Sequence, residues 1–191
     1  MKTMKEVVKI IGGGLAGSEA AYYLAKKGYN VKLYDIKPKS FTPAHKNPLY
    51  GELVCSNSLK SNDVYANACG LLKEEMRILG SMVIECADKT SVPAGAALAV
   101  DRDKFAWAVT EKLKSCDNIE CVCEEIGSFD LNENVIVATG PLTTGGLCDF
   151  ISRITGDGFY FYDAAAPIIS GDSIDMSEAF VSDRYGEAGE G

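Results

Sequence analysis

One cysteine stands in a stretch of unusual composition. GELVCSNSLKSN, residues 51–62, places Cys55 among serines, asparagines and a lysine, residue types that are uncommon in a packed core. A cysteine becomes a nucleophile where its surroundings favour the thiolate or place a base beside it. Lys60 and His45, the only histidine, are nearby in sequence. Either could assist a thiolate, and an exposed loop lysine and a hydrogen-bonded structural histidine are the alternative interpretations.

A glycine-rich run, GGGLAG (residues 12–17), is the second candidate site. Gly12, Gly14 and Gly17 fit the spacing GxGxxG, and the run follows a β-branched segment and opens a predicted helix. In a dinucleotide-binding fingerprint the first glycine permits the tight turn, the second lets the backbone approach a pyrophosphate, and the third lets helix and strand pack closely. With Gly13, Leu15 and Ala16, the helix start offers free N–H groups to phosphate.

Asp35 ends the next predicted strand, eighteen residues after Gly17. A carboxylate there accepts hydrogen bonds from ribose hydroxyls and disfavours a 2′-phosphate. The alternative is a glycine-rich turn with a surface aspartate. The glycine run follows a predicted strand, opens a predicted helix and precedes an acidic residue at the end of the next strand. This context makes a dinucleotide site the stronger interpretation.

The segment NVIVATG (residues 134–140) bears on which dinucleotide binds. It resembles the second conserved strand of the two-dinucleotide-binding flavoproteins, in which Ala138, Thr139 and Gly140 would lie beside FAD. The same letters also fit an ordinary buried strand and turn. DRDKF resembles a helix start of those flavoproteins, which makes Arg102 a cofactor candidate or else a solvated helix-end charge. FAD is therefore favoured over NAD.

Alternating strands and helices must position these residues. Apolar runs predict strands at residues 7–11, 30–35, 97–100, 119–123, 134–140 and 160–169. Helical spacing predicts helices at residues 15–27, ended by Gly28, and from Asp101 or Asp103 to Ser115, with further helical spacing at residues 70–85. The order predicts an α/β fold, a Rossmann-like domain with a mostly parallel sheet.

Residues 38–62 lack either period and predict a long irregular loop, a length that is usually functional or disordered. Three apolar residues are predicted to belong to the core: Leu59 within this loop, and Leu71 and Val83 in the helical spacing that follows it. Tyr162 and Asp163 lie in the tract YDAAAP and are candidates to support a ligand site or to end a strand beneath it.

Composition excludes several classes of protein. The 191 residues are 47% hydrophobic and 24% charged, as in ordinary globular proteins. A net charge of −8 is the wrong sign for a stand-alone nucleic-acid module. Seven cysteines without a CxxC pair suit neither a disulfide framework nor a zinc site, so we expect reduced thiols and no metal. The sequence shows no membrane span, and we expect a cytoplasmic location.

Several blocks together resemble the N-terminal part of the TrmFO family, the folate- and flavin-dependent tRNA (uracil-5-)-methyltransferases. The blocks include GGGLAGSEAAYYLAKKGYNVKLYDIKP, TPAH, ELVCSNSLKSN, VPAGAALAVDRDKFA and VIVATGPLT. The resemblance implies methylation of the T-loop uridine of tRNA at C5, with methylenetetrahydrofolate as carbon donor, FAD as the cofactor and NAD(P)H as reductant. It also implies that Cys55 is one of two catalytic cysteines and that His45 lines the site.

The family's chains are more than twice as long. By resemblance, residues 1–185 correspond to the N-terminal part of an FAD-binding domain and residues 186–191 to the start of a connection to an inserted domain. We expect the second cysteine outside this chain, and the 191 residues alone to be inactive. The alternatives are a flavin-dependent oxidoreductase, which would want the absent CxxC, a relative that modifies the wobble uridine, and a non-catalytic dinucleotide-binding module.

Overall fold

The structure, a computed structural model, describes residues 6–143, 145–156 and 171–179. Its strands are β1 (Val7–Ile11), β2 (Asn30–Asp35), β3 (Ser58–Ser61), β4 (Ser91–Val92), β5 (Ala97–Val100), β6 (Ile119–Cys123) and β7 (Val135–Val137). Its α-helices are α1 (Leu15–Lys26), α2 (Ala68–Ile78), α3 (Met82–Lys89), α4 (Arg102–Lys114) and α5 (Gly145–Thr155). Short 3₁₀ turns lie at Gly140–Leu142 and Gly171–Ser173.

The larger sheet has the strand order β6-β2-β1-β7, and every neighbouring pair is parallel. Helix α1 makes the crossover between β1 and β2, so the carboxyl ends of both strands meet at one edge of the sheet. A smaller antiparallel sheet has the order β3-β5-β4. This architecture confirms the predicted α/β, Rossmann-like fold with its mostly parallel sheet.

Helix α4 provides the centre of the core. Phe105, Val109 and Leu113 recur at a spacing of four and are fully buried, as their spacing predicts. Asp101 caps the helix by accepting the backbone N–H of Lys104 at 3.1 Å. The same core takes its strand residues from β1, β2, β5 and β6, including Ile10, Val31, Leu33, Val100 and Ile119. Burying each large apolar side chain contributes about 1.5–3 kcal/mol.

The helical spacing of residues 70–85 does not give one continuous helix. Gly80 adopts φ +76°, and the chain breaks there into α2 and α3. The Ser81 side chain then caps α3 by accepting the N–H of Ile84 at 3.2 Å. Glu19 of α1 adds a carboxylate to the same helix start, where it accepts the N–H of Val83 at 2.8 Å. A negative charge is stabilising at a helix N-terminus, so α1 fixes the position of α3.

Two further sequence predictions are wrong in detail. Leu71 is not a core residue, because α2 turns it outward to 48% exposure and instead buries Lys73. The lysine ammonium donates to the carbonyls of Ser61 and Cys69, and burial lowers its pKa. Residues 58–61, predicted as loop, form β3 because they pair with β5. Val83 is buried and Leu59 packs on the core, as predicted.

The predicted strand at residues 160–169 lies outside the described residues, as does the predicted boundary at residue 186. Among the helices that the structure describes, none combines the length and apolar character needed to cross a bilayer.

Candidate functional site

The glycine-rich loop joins β1 to α1 by close backbone packing. Gly12 has φ +106°, and a Cβ added there would lie 2.6 Å from the carbonyl oxygen of Ala138. A Cβ on Gly17 would overlap the carbonyl oxygen of Gly12. These two glycines therefore allow loop, helix and β7 to pack closely, which agrees with the roles their spacing predicts.

Gly14 differs from these two glycines, because it faces open space. A Cβ added at Gly14 would meet no heavy atom within 4 Å. Gly14 is also the N-cap of α1, and no side chain caps the helix there. The partial positive charge and the N–H groups of the first turn, at Leu15 and Ala16, thus adjoin a free volume suited to an anion.

Asp35 closes the second side of this loop. One carboxylate oxygen accepts the backbone N–H of Gly13 at 2.8 Å, and the other accepts that of Lys37 at 2.9 Å. A carboxylate offers about four lone-pair sites, so acceptor capacity remains for hydroxyl groups of a ligand. The predicted ribose contact is compatible with this geometry.

A cavity of about 540 Å³ opens between two parts of the chain. We call the first part the glycine wall; it comprises residues 11–16, Asp35 and residues 138–140. We call the second part the cysteine wall; it comprises residues 42–56, and its lining residues include Thr42, His45, Glu52, Leu53, Val54, Cys55 and Ser56. Cys55 therefore lines the same cavity as the residues predicted to bind the dinucleotide. Gly17 and Arg102 are the two predicted residues that do not line it.

Cys55 and His45 approach the cavity from the cysteine wall. The Cys55 residue is exposed. His45 is half-buried, and its Nδ1 lies 2.6 Å from the Thr42 hydroxyl. The histidine thus combines both interpretations of the sequence, because it is hydrogen-bonded within its loop and also lines the site.

The cysteine wall is joined to the glycine wall at Tyr50 and Gly51. The N–H of Gly51 donates to the Gly13 carbonyl at 2.9 Å, and the Tyr50 ring packs against Gly13. The N–H of Tyr50 donates to the Thr110 hydroxyl of α4 at 2.9 Å. Gly51 has φ +66°, and an added Cβ would lie 2.9 Å from Val109 Cγ1. Glycine is therefore favoured where the cysteine wall packs against α4.

A buried ion pair supports the same wall. The Lys37 and Glu52 side chains are 5% and 8% exposed, and Nζ lies 3.4 Å from Glu52 Oε2. Lys37 Nζ also donates to the Leu49 carbonyl. Glu52 Oε1 accepts the N–H groups of Lys46 at 2.7 Å and Asn47 at 3.2 Å. The pair links the end of β2 to both ends of the segment between His45 and Cys55.

Burial affects two ionisable groups behind the cysteine wall. It raises the pKa of the Tyr50 hydroxyl, and a hydrogen bond to the Cys121 sulfur and the nearby Asp35 act in the same direction. Burial also raises the pKa of the Cys121 thiol, a shift that the Tyr50 hydrogen bond partly opposes. Cys121 is thus held as a thiol, which is the less nucleophilic form.

The remaining predicted residues lie elsewhere. Arg102, at the start of α4, donates to the Cys55 carbonyl at 3.0 Å and is not among the described residues that line the cavity. Lys60 is exposed with φ +67° in β3 and also lies away from the lining. Tyr162 and Asp163 lie outside the described residues.

Lys37, Glu52 and Tyr50 were missed by the sequence interpretation. A lysine and a glutamate in an irregular loop read as surface charges, because Lys and Glu are rarely buried without a partner. One sequence signal could have indicated the pair: Lys37 and Glu52, which have opposite charges, flank a segment whose apolar residues follow no period. Their burial depends on contacts across 15 residues, which no local pattern specifies.

Comparison with known proteins identifies the family of this chain. The profile of the family described as glucose inhibited division protein A matches residues 7–191. Among solved structures, "Structure of Aquifex aeolicus GidA in the form II crystal" is similar with a TM-score of 0.55 and 18% identity, over 74% of this chain and 26% of that chain. At that identity the likeness supports the fold.

Curated relatives are more similar in sequence. Those from the following three organisms each carry the name methylenetetrahydrofolate–tRNA-(uracil-5-)-methyltransferase TrmFO. The relative from Fusobacterium nucleatum subsp. nucleatum is 57% identical over 96% of this chain, and that from Thermosipho melanesiensis is 55% identical over 95%. The relative from Acetivibrio thermocellus is 53% identical over 96%. The chain spans 42% of the length of each of these relatives. The predicted TrmFO resemblance is confirmed.

Proposed function

The chain belongs to the glucose inhibited division protein A family, and from that premise we propose that it is the FAD-binding, cysteine-bearing part of an enzyme that methylates uridine in tRNA at C5. The single observation that carries the proposal is that Cys55 and the glycine-rich loop line one cavity. A nucleophile for the base and a nucleotide site are thus within reach of the same bound molecules. The names of the similar relatives support uracil C5 as the target.

The glycine wall fits FAD. Gly14 leaves space for a pyrophosphate at the uncapped start of α1, and Asp35 retains acceptor capacity for ribose hydroxyls. Ala138, Thr139 and Gly140 bring a second strand end to the same cavity. When bound and reduced by NAD(P)H, the flavin would supply the two electrons that convert a transferred methylene group into methyl.

Cys55 would activate the substrate base. Uracil C5 is a poor nucleophile, and addition of the Cys55 thiolate at C6 moves electron density towards C5, which can then accept a one-carbon unit from methylenetetrahydrofolate. Loss of the C5 proton would break the bond between the methylene carbon and the folate nitrogen, which releases tetrahydrofolate and leaves a methylene group on C5. Reduction of that group to methyl and departure of the thiolate from C6 would restore the base. His45 lines the same cavity with Nδ1 bonded to Thr42, so we assign Nε2 to the transfer of that proton or to substrate contact.

The wider assignments belong to the same proposal. The T-loop of tRNA is the proposed partner, methylenetetrahydrofolate and NAD(P)H are the proposed co-substrates, and the cytoplasm is the proposed location. Residues 1–185 are proposed as the first part of the FAD-binding domain and residues 186–191 as the start of a connection. A second cysteine would come from the part of the relatives that this chain does not span.

The test uses the protein encoded by the complete open reading frame that contains this chain. We expect the purified protein to show a flavin absorption spectrum and to form 5-methyluridine in tRNA when given methylenetetrahydrofolate and NAD(P)H. Cys55→Ser should lower the rate by about 10³-fold or more, the scale on which loss of a nucleophile acts, without loss of bound flavin. Cys148→Ser, at a partly exposed cysteine of α5, is the matched control and should keep full activity.

Each alternative predicts a different result. Nucleoside analysis that finds the product at the wobble position would assign the protein to that class of modification. A flavoprotein whose Cys55→Ser variant methylates at the wild-type rate would refute the nucleophile. Flavin binding without any turnover would leave a dinucleotide-binding module.

A further inference from the structure

The Lys37–Glu52 pair is the most buried ion pair in the part of the chain that the structure describes. In each of the other pairs found there, at least one side chain is 38% or more exposed, whereas Lys37 and Glu52 are 5% and 8% exposed. Removing two charges from water costs free energy that an ion pair often does not recover. Burial of the pair therefore does not by itself indicate that the pair stabilises the fold.

The contacts of Glu52 point to another role. Its Oε2 faces Lys37, while its Oε1 accepts the N–H groups of Lys46 and Asn47. Those two residues directly follow His45, and Glu52 itself precedes Cys55 by three residues. One carboxylate therefore holds together the two ends of the segment that separates the histidine from the cysteine.

Neighbouring contacts leave the segment little freedom to compensate. Lys37 Nζ donates to the Leu49 carbonyl at the middle of the segment. Gly51 is bonded to Gly13, and Arg102 holds the Cys55 carbonyl. Without Glu52 Oε1, the His45 end would keep its local contacts with Thr42 and Leu49 but lose its tie to Glu52, while Gly13 and Arg102 still held the Cys55 end. The spacing of the two side chains over the cavity would then change.

We propose that Glu52, held by Lys37, is a positioning residue that sets the arrangement of His45 and Cys55 for reaction with the base. This inference rests on the proposed function. The working atom is Oε1, whose role is to accept two N–H groups and does not itself require a full charge, and the Lys37 ammonium serves to make burial of the carboxylate tolerable. A misplacement of about 1 Å can lower a rate by about 10²-fold, so the effect should be large in kcat.

Two double variants isolate that oxygen in the protein encoded by the complete reading frame. Lys37→Met with Glu52→Gln removes both charges and keeps the acceptor, whereas Lys37→Met with Glu52→Leu removes both charges and the acceptor. Neither leaves an unpaired buried charge, but Met/Leu also leaves the N–H groups of Lys46 and Asn47 without their acceptor, so its unfolding free energy should be lower. Both variants are therefore assayed well below their unfolding transitions. We expect the Met/Gln protein to keep kcat within about threefold of wild type and the Met/Leu protein to lose about tenfold or more, with KM for tRNA unchanged in both.

Alkylation of Cys55 by iodoacetamide gives a second measurement that needs neither tRNA nor folate. Its pH–rate profile should be the same in wild type and Met/Gln and displaced in Met/Leu. Lys39→Met removes an exposed lysine that donates to the Cys123 carbonyl and is the control that should change nothing. Flavin content checks that the glycine wall is intact. Equal kcat and equal alkylation profiles for the two double variants would overturn the proposal.

Hydrogen exchange tests the same contact without a substitution. The amides of Lys46 and Asn47 should exchange more slowly than those of unbonded loop residues, and exchange at the unprotected rate would also overturn the proposal. If wild type itself makes no methylated product, the proposed function fails. The alkylation and exchange results would still show whether Glu52 holds the segment between His45 and Cys55.

Discussion

The glycine wall and the cysteine wall face each other across one cavity but are specified in different ways. The glycine-rich loop of the first wall depends largely on residues close in sequence: Gly17 packs on Gly12, and α1 begins at once. The cysteine wall depends on distant residues, since Glu52 needs Lys37 and Gly51 needs Val109 of α4. A local rule therefore describes the glycine-rich loop, whereas the cysteine wall depends on the completed fold.

The largest test of this contrast lies in the glycine wall. Gly17→Ala would place a Cβ on the Gly12 carbonyl, a backbone atom that cannot move aside. We expect it to lower the free energy of unfolding by about 3 kcal/mol or more. Gly14→Ala is the matched control and should cost about 1 kcal/mol or less, because its Cβ would enter open space and only the preference for glycine over alanine at an N-cap is lost. Urea unfolding of the flavin-free protein measures both, and equal losses would contradict the assigned packing.

Gly14→Ala should still weaken flavin binding. Its methyl group would occupy the volume in which the pyrophosphate is proposed to lie. Titration with FAD measures the affinity, and a variant that binds FAD as tightly as wild type would place the pyrophosphate elsewhere.

The second test moves to the cysteine wall. Gly51 and Gly80 have φ of +66° and +76°, so alanine strains the backbone at either position by about 1–2 kcal/mol. Only at Gly51 would the Cβ also collide with Val109, 2.9 Å away. We expect Gly51→Ala to cost about 1 kcal/mol more than Gly80→Ala in urea unfolding.

A double variant identifies the partner. Val109→Ala should relieve the collision, so that Gly51→Ala with Val109→Ala costs less than the sum of the two single changes. Strict additivity would mean that Gly51 is strained by its backbone alone and that Val109 does not crowd it.

The same contrast explains what the sequence could predict. The Gly12–Gly17 spacing, the Asp35 position and the period of Phe105, Val109 and Leu113 each express a local rule. The structure has the close packing, the strand end and the buried helix face that these rules predict, while the binding of a cofactor stays a prediction. The break at Gly80 was missed because the apolar spacing continues across it.

The outward face of α2 and the burial of Lys37 and Glu52 were not predictable for another reason. Periodicity indicates which residues share a face but not which way the face turns. Lys73 is buried because the Ser61 carbonyl lies above it, and Glu52 because Lys37 lies beside it. Both partners are fixed by tertiary contacts. Cys55 was singled out by the long irregular loop around it and by the family resemblance rather than by any rule of folding.

Asp35 links the glycine-rich loop to Lys37, the partner of Glu52 in the cysteine wall, and its substitution gives the third test. Asp35→Asn replaces one acceptor oxygen by an amide group, so either the Gly13 N–H or the Lys37 N–H loses its partner. We expect a loss of about 1–2 kcal/mol in the unfolding free energy. Asp149→Asn, at an exposed position of α5, should have no measurable effect. Unchanged stability of Asp35→Asn would show that the carboxylate is not structural and serves the ligand alone.

The smallest effect concerns alkaline pH behind the cysteine wall. Burial raises the pKa of the Cys121 thiol in the folded protein, whereas in the unfolded chain a thiol ionises near pH 8.5, about its ordinary value. Above that pH the unfolded state binds fewer protons than the folded state, so the free energy of unfolding falls as pH rises. Cys121→Ser cannot contribute to this fall, and its curve should decline less steeply than wild type between about pH 8 and pH 10. Cys148→Ser is the matched control and should follow the wild-type curve. Parallel curves for Cys121→Ser and wild type would mean that the Cys121 thiol beside Tyr50 is open to water rather than buried.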